Sequence, residues 1–321
     1  MAAINSKISQ ADYNTIRNKL VSVIGSGSVD YGWGQSIKSS AVAEGNTVSI
    51  NEYSNLRYDI INAWTHIYGS APTTYTVAEG NTIRYNASNA PISAHDTLAD
   101  TIVANRFTIA AGQYATTAAT SVSRTAAWSN SLTCTIDVYW SDAAQARYFW
   151  NSGGQLRITA SKSTGSLSNS QNTSWTSILS TAGTQIFGGN TPGTGTAPAD
   201  GLNWYRLYQT FQNLYTISGS SPYGGNTYRI QSRCADVISN NTGLSKYAQF
   251  KLDFIDNYTD PVPANNPDGS ANNPLNYPPG DAVDGTLTVS ANVLYATGIL
   301  VPSGTFAVVN PTIAISAITG S

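Results

Sequence analysis

The residue types that most often carry chemistry are scarce in this chain and poorly spaced for it. His66 and His95 are the only imidazoles. Neither belongs to an HxxxH or HExxH pattern, the spacing that puts two ring nitrogens on one helix face for zinc. A structural histidine is expected at both positions. Cleaving a glycosidic bond needs two carboxylates flanking the sugar. Asp253, Asp256 and Asp260 cluster, with Asp253 alternating outward from Phe250, Leu252 and Phe254. Asp268-Gly269 adds oxygen ligands that would suit calcium, without the spacing of an EF-hand loop. Solvated turn carboxylates are the expectation for this group. No G-x-S-x-G elbow exists to raise a serine nucleophile. No glycine precedes a lysine, so a phosphate-cradling Walker loop is missing too. The pairs Gly25/Gly27 and Gly193/Gly195 lack the third glycine of a dinucleotide site. Catalysis, a metal and a cofactor are therefore not expected.

Aromatic residues carry more information. Trp204, Tyr205, Tyr208, Phe211 and Tyr215 crowd one segment, and Tyr148, Phe149 and Trp150 another. A strand buries one half of such a set and shows the other, and shown aromatics stack on sugars or anchor interfaces. Core packing, interface contact and glycan stacking all stay open for them. Arg147, Arg157, Arg206, Arg229 and Arg233 interleave with these rings, as on a surface that binds single-stranded nucleic acid. The formal net charge of −2 opposes that use.

The elements that must hold these residues fall into two kinds. Residues 9–24 read as a helix, with Ser9 as cap, Asp12 completing a capping box and Gly25 as terminator. Its apolar stripe is Tyr13, Ile16, Leu20, Val23 and Ile24. Residues 51–68 form a second helix, with Tyr53, Leu56, Ile60, Trp64 and Ile67 on one side and Gly69 as the stop. A short third helix spans 96–103. All three Glu residues lie in the first 80 positions, consistent with a helical front, since Glu favours helices and Asp favours turns. The repeated segments 42–47 and 77–82, both Val-Ala-Glu-Gly-Asn-Thr, are reused turn chemistry.

Beyond Arg106 the period becomes two. Leu132, Cys134, Ile136, Val138 and Trp140 alternate with Thr133, Thr135, Asp137 and Tyr139, giving a strand with one buried face. Leu156, Ile158 and Ala160 repeat the pattern, and 204–211, 228–234 and 250–255 fit further strands. A short helix over 142–150, closed by Gly153 and Gly154, separates two of them. The fold class is thus mainly β: an antiparallel β-sandwich preceded by a small helical N-terminal region, with a C-terminal β extension. The expected division is 1–104 helical or mixed, 105–258 sandwich, 259–285 a Pro/Asn-rich linker or arm, and 286–321 an extension for subunit contacts. Its tail, Phe306 to Ile318, is apolar, β-branched and uncharged. Such an edge either joins a neighbour's sheet or packs on its own domain. Trp204, Tyr208, Phe306, Val308, Ile313 and Ile315 are the candidate interface residues. Cys134 and Cys234, 100 positions apart, are either buried thiols or a disulfide, and spacing does not decide.

The chain has 321 residues, of which only 11 % are charged, against about 25 % in an ordinary domain. Ser, Thr, Asn and Gly fill the difference. A weakly charged surface favours association. No signal-like apolar run opens the chain and no stretch of about 18 apolar residues occurs. Membrane insertion is therefore not expected, and synthesis in a cytoplasm is.

Several segments together resemble one family. They are Ile4–Asn14 (INSKISQADYN), Gly32–Gly34, Asn55–Trp64 (NLRYDIINAW) with Ile67–Gly69, Ala146–Gly154 (ARYFWNSGG), Trp175–Gly183 (WTSILSTAG) and Ser220–Gly224 (SSPYG). They are similar to virion structural proteins of T4-like cyanophages and related marine myophages. The resemblance implies a bacteriophage virion location and a structural role in the tail, baseplate or tail fibre. Neck or capsid decoration and a host-glycan-binding adhesin are the alternatives. Its implied partners are further copies of the chain, a trimer being the preferred homo-oligomer, other virion proteins and a host surface glycan. It supplies no catalytic residue, and it does not reach the stretch after residue 259.

Overall fold

Alternation of apolar and polar residues builds two stacked antiparallel sheets, five- and six-stranded, behind a helical front. A computed structural model describes residues 8–28, 30–78, 82–84, 92–166, 170–188, 209–236, 245–258, 282–297 and 310–320. Three helices come first: α1 (Gln10–Ile24), α2 (Ile50–Tyr68) and α3 (Ile92–Ala104). Ser9 and Asp12 cap α1 reciprocally, and Ser49 and Glu52 do the same for α2. Each pair satisfies two backbone N–H groups that a helix start leaves open. Gly69 ends α2 in the left-handed region at φ 80°, where a side chain would be strained. The expected stripes face one another and bury Tyr13, Ile16, Leu20, Tyr53, Leu56, Ile60 and Ile102.

The remaining elements are β1 (Tyr114–Thr116), β2 (Thr120–Arg124), β3 (Leu132–Tyr139), α4 (Ala143–Asn151), β4 (Gln155–Lys162), α5 (Ser170–Ala182), β5 (Thr184–Phe187), β6 (Gln212–Ser218), β7 (Thr227–Cys234), β8 (Tyr247–Ile255), β9 (Leu287–Ala296), β10 (Thr312–Ile315) and β11 (Thr319–Gly320). One sheet runs β1-β9-β4-β5, with β2 also on β9; the other runs β10-β3-β8-β7-β6, with β11 also on β3. Their inner faces meet through Leu132, Ile136, Phe250, Leu252 and Ile230 on one side and Leu156, Ile158, Val289 and Val293 on the other. The mainly β sandwich with a helical front is the architecture expected from the sequence.

Three expectations need correction. The division at 286 fails, because β9 is no extension. It lies between β4 and the β1/β2 pair, with Leu287, Val289, Ala291 and Val293 in the main core. Pairing between distant segments leaves no local mark, so period-two alternation could not say which sheet β9 joins. The linker expected over 259–285 falls mostly outside the described residues, but Val283 is buried and bridges Trp128 through paired backbone bonds of 2.7 and 2.9 Å. The strand expected at 204–211 lies outside the described residues up to 208, and the strand there begins at Gln212. A helix, α5, was not expected at all. It buries Trp175, Ile178, Leu179 and Ala182 against β4, β6 and β7.

Candidate interaction surface

The six-stranded sheet presents its outer face through the residues that alternate with its core. Register places them in four rows across β3, β8 and β7: Tyr139–Tyr247, Asp137–Gln249–Arg233, Thr135–Lys251–Gln231 and Thr133–Asp253–Arg229. Neighbours across a sheet are close enough for side chains to bond, and here they do. Gln249 Nε2 donates to Asp137 Oδ1 at 2.7 Å, and Arg233 Nε donates to Gln249 Oε1 at 2.8 Å. Asp253 accepts from Thr133 at 3.1 Å and from Arg229 Nη2 at 2.8 Å, and Lys251 Nζ lies 3.0 Å away.

Asp253 is therefore no solvated turn carboxylate. Its side chain is 6 % exposed beneath the partly exposed cations Arg229 and Lys251. The rings of Tyr139 and Tyr247 stack at 4.3 Å. Burial, with hydrogen bonds to Tyr139 and Asp137, pushes the Tyr247 phenol up from its ordinary value. Phe211 lies beneath the Arg233 guanidinium at 4.7 Å and nearer the sheet's β6 edge. Three cations and two carboxylates nearly cancel over this face, and their mutual bonds hold each side chain in one orientation. A face so ordered pays little entropy on docking.

The candidate residues separate into two groups. Trp204, Tyr208, Phe306 and Val308 lie outside the described residues. Ile313 and Ile315 were expected to face another subunit, but they are half-buried and pack on this chain's own core. The reason is register: Ile313 opposes Val138 and Ile315 opposes Ile136, so both share β3's inward face. Thr312 and Ala314 of β10 are exposed, and among the described residues no strand but β3 pairs with it. Ser316 N–H donates to Thr135 O at 2.9 Å. Counting back in twos along the ladder turns the N–H of Ile315 and Ile313 away from β3. Tyr139, Asp137, Gln249 and Lys251 were missed as site residues, though the polar half of the alternation marked them.

The other chemistry-bearing residues serve the interior. His66 is fully buried, packs against the Trp33 ring at a tilt of 45° with centroids 4.5 Å apart, and meets Ser152 O at 2.9 Å through Nε2. Burial lowers its pKa to about 4. His95 is also buried and lowered to about 4 by desolvation and by the nearby Arg57 charge. Asp59, buried in α2, accepts from Lys38 and Ser39 N–H at 2.9 and 2.8 Å and anchors that loop. Cys134 and Cys234 are free and buried. They stand on β3 and β7 with β8 between, and two strand spacings of about 4.8 Å exceed disulfide reach. Among the described residues no group of three or more His, Cys, Asp or Glu could hold a metal ion, and no helix is long and apolar enough to cross a membrane. No family model, curated protein or solved structure matches this chain.

Proposed function

We propose that this chain is a non-enzymatic building block of a tailed-phage virion, in the tail, baseplate or fibre system, working through subunit–subunit contact. The sequence resemblance points to virions and is silent on position, so the neck and the capsid surface belong to the same proposal. The observation that carries the contact reading is the ordered outer face of β3, β8 and β7 running up to the open edge of β10. Thr312–Ile315 is uncharged, carries no lysine or proline of its own, and turns backbone donors outward. Edges left in that state recruit another strand. A second copy can supply one without placing like charges opposite each other.

Light scattering after size exclusion tests the contact. The wild-type chain should elute as a discrete oligomer. Ala314→Lys, which puts a charge on the edge, and Tyr139→Ala, which removes half of the stacked pair, should each shift it toward monomer. A monomer at high concentration, or variants identical to wild type, would refute self-assembly. Labelled antibody on purified phage tests the location, and its absence from mature particles would refute the virion role.

A further inference from the structure

On the opposite flank of the sandwich from β10, α5 and the turn joining β6 to β7 enclose a groove of about 330 Å³. That is near the lower end of the about 300–1,000 Å³ typical of small-molecule sites. Its helical wall is mostly hydroxyls. Ser170, Ser174, Ser177 and Thr181 recur at one-face spacing and Ile178 adds an apolar side chain to the lining, while Trp175 and Leu179 occupy the buried face. Its other wall is the turn, with Ser220 and Tyr223, and the apolar Ile217 at the end of β6. Among the described residues no charged side chain lines it.

The wall opposite the helix is built rigidly. Ser220 O accepts from Tyr223 N–H at 2.7 Å, Tyr223 O from Asn226 N–H at 3.0 Å, and Asn226 O from Gly219 N–H at 2.9 Å. Asn226, itself fully buried, uses Oδ1 to accept from the N–H groups of Asn257 and Tyr258, each at 3.0 Å. The Tyr258 ring braces that of Tyr223 edge-on at 4.5 Å. Gly219 brings the turn against the helix: a Cβ there would lie 3.1 Å from Ser174 Oγ and 3.3 Å from Ile178 Cδ1.

We propose that this groove binds a neutral oligosaccharide. A charged ligand would be desolvated there with no counter-charge to meet it. A purely apolar one would strip water from a row of hydroxyls and return no hydrogen bond. A sugar answers both walls, offering hydroxyls to α5 and a C–H face to the Tyr223 ring. The volume suits about two pyranose rings. The site is separate from the outer face of β3, β8 and β7, so its test stands whether or not the chain self-assembles.

Saturation-transfer NMR and calorimetry on the full chain test it, with cellobiose, maltose, lactose and diacetylchitobiose as neutral probes and digalacturonate and sialyllactose as acidic ones. At least one neutral disaccharide should bind at about millimolar affinity, and the acidic probes at least about fivefold more weakly. Ser177→Trp, filling the groove from an exposed helix position, and Tyr223→Ala should each weaken binding about tenfold. Ser180→Trp, exposed on the same helix outside the groove, should leave it unchanged and shows that α5 tolerates the indole. If Ser177→Trp fails to fold, Tyr223→Ala decides. Failure of every neutral probe to bind, equal binding of acidic probes, or full affinity in the groove variants would each overturn the proposal.

Discussion

His66 and His95 are held neutral inside the helical front, and this sets a pH dependence whose sign can be worked out. Each has a folded pKa of about 4, below the unfolded value of about 6.5. Between those limits the unfolded chain takes up a proton that the folded chain refuses. Stability is therefore full above about pH 6.5 and declines as the pH falls toward 4, by on the order of 3 kcal/mol per histidine. Asp59 acts in the opposite direction, because burial raises its folded pKa. Urea unfolding at pH 7, 5.5 and 4.5 should show the decline. Among the described residues neither nitrogen of His95 has a hydrogen-bond partner, and its ring lies against Tyr53 at 5.1 Å. His95→Phe should then stay within about 1 kcal/mol of wild type at pH 7 and remove part of the acid loss. An unchanged acid profile would rule His95 out as a contributor. Asp253 makes a different case on the same scale. Asp253→Ala strands Arg229 and Lys251 on the sheet, but both are about one-third exposed. Water offsets part of the loss, leaving about 1–2 kcal/mol at pH 7.

The elements divide by how local their causes are. The start of α1 was legible because a capping box writes itself within four consecutive residues, and the same box at Ser49 and Glu52, which went unread, marks the start of α2. Ser49→Ala should cost about 1 kcal/mol by chemical unfolding, with Glu52→Gln costing less because the amide still accepts a hydrogen bond. The alternation in β3, β4, β7 and β8 was equally plain, and from it the outer face could have been read as well as the core. Helix α5 was missed because eight of its 13 residues are Ser, Thr or Asn, types that favour caps and turns over helix interiors. Yet Trp175, Ile178, Leu179 and Ala182 stand at helical spacing, and burying that stripe outweighs the propensity. The fate of β9 and β10 depended on partners 120 or more positions away, which no window of sequence contains. The docking of β10 and β11 carries its own expectation. Removing residues 311–321 takes Ile318 from the core and uncovers the whole edge of β3, Leu132 to Tyr139. The shortened chain should form aggregates that increase with concentration, read by turbidity and by amide exchange along β3. Unaltered solubility and protection in β3 would show that this edge needs no cover.

At the scale of the molecule, the question is whether the helical front is a domain of its own. Its core is completed from elsewhere. Leu294 and Ala296, on the outward side of β9, sit in the same apolar cluster as Tyr53 and Ile60, as does Ile109. Trp33 Nε1 donates to Arg106 O at 3.0 Å and Asn151 O at 2.8 Å, and Arg147 reaches back from α4 to Ser26 O at 2.9 Å. Cutting at 104 removes Ile109 and Leu294, whose burial contributes about 1.5–3 kcal/mol each. It also leaves the indole N–H of Trp33 and the ring of His66 without these carbonyls in an interior site, at about 1–3 kcal/mol apiece. Losses of that sum approach the whole stability of an ordinary domain, about 5–15 kcal/mol. The fragment 1–104 should therefore show no cooperative thermal transition by circular dichroism, while the full chain unfolds helices and sheets together. Leu294→Ala in the full chain should lower that shared transition by about 2–5 kcal/mol and reduce amide protection in α1 and α2 along with β9. A front that melts separately, or that keeps its protection when Leu294 is truncated, would mean that it carries its own core and that β9 merely touches it.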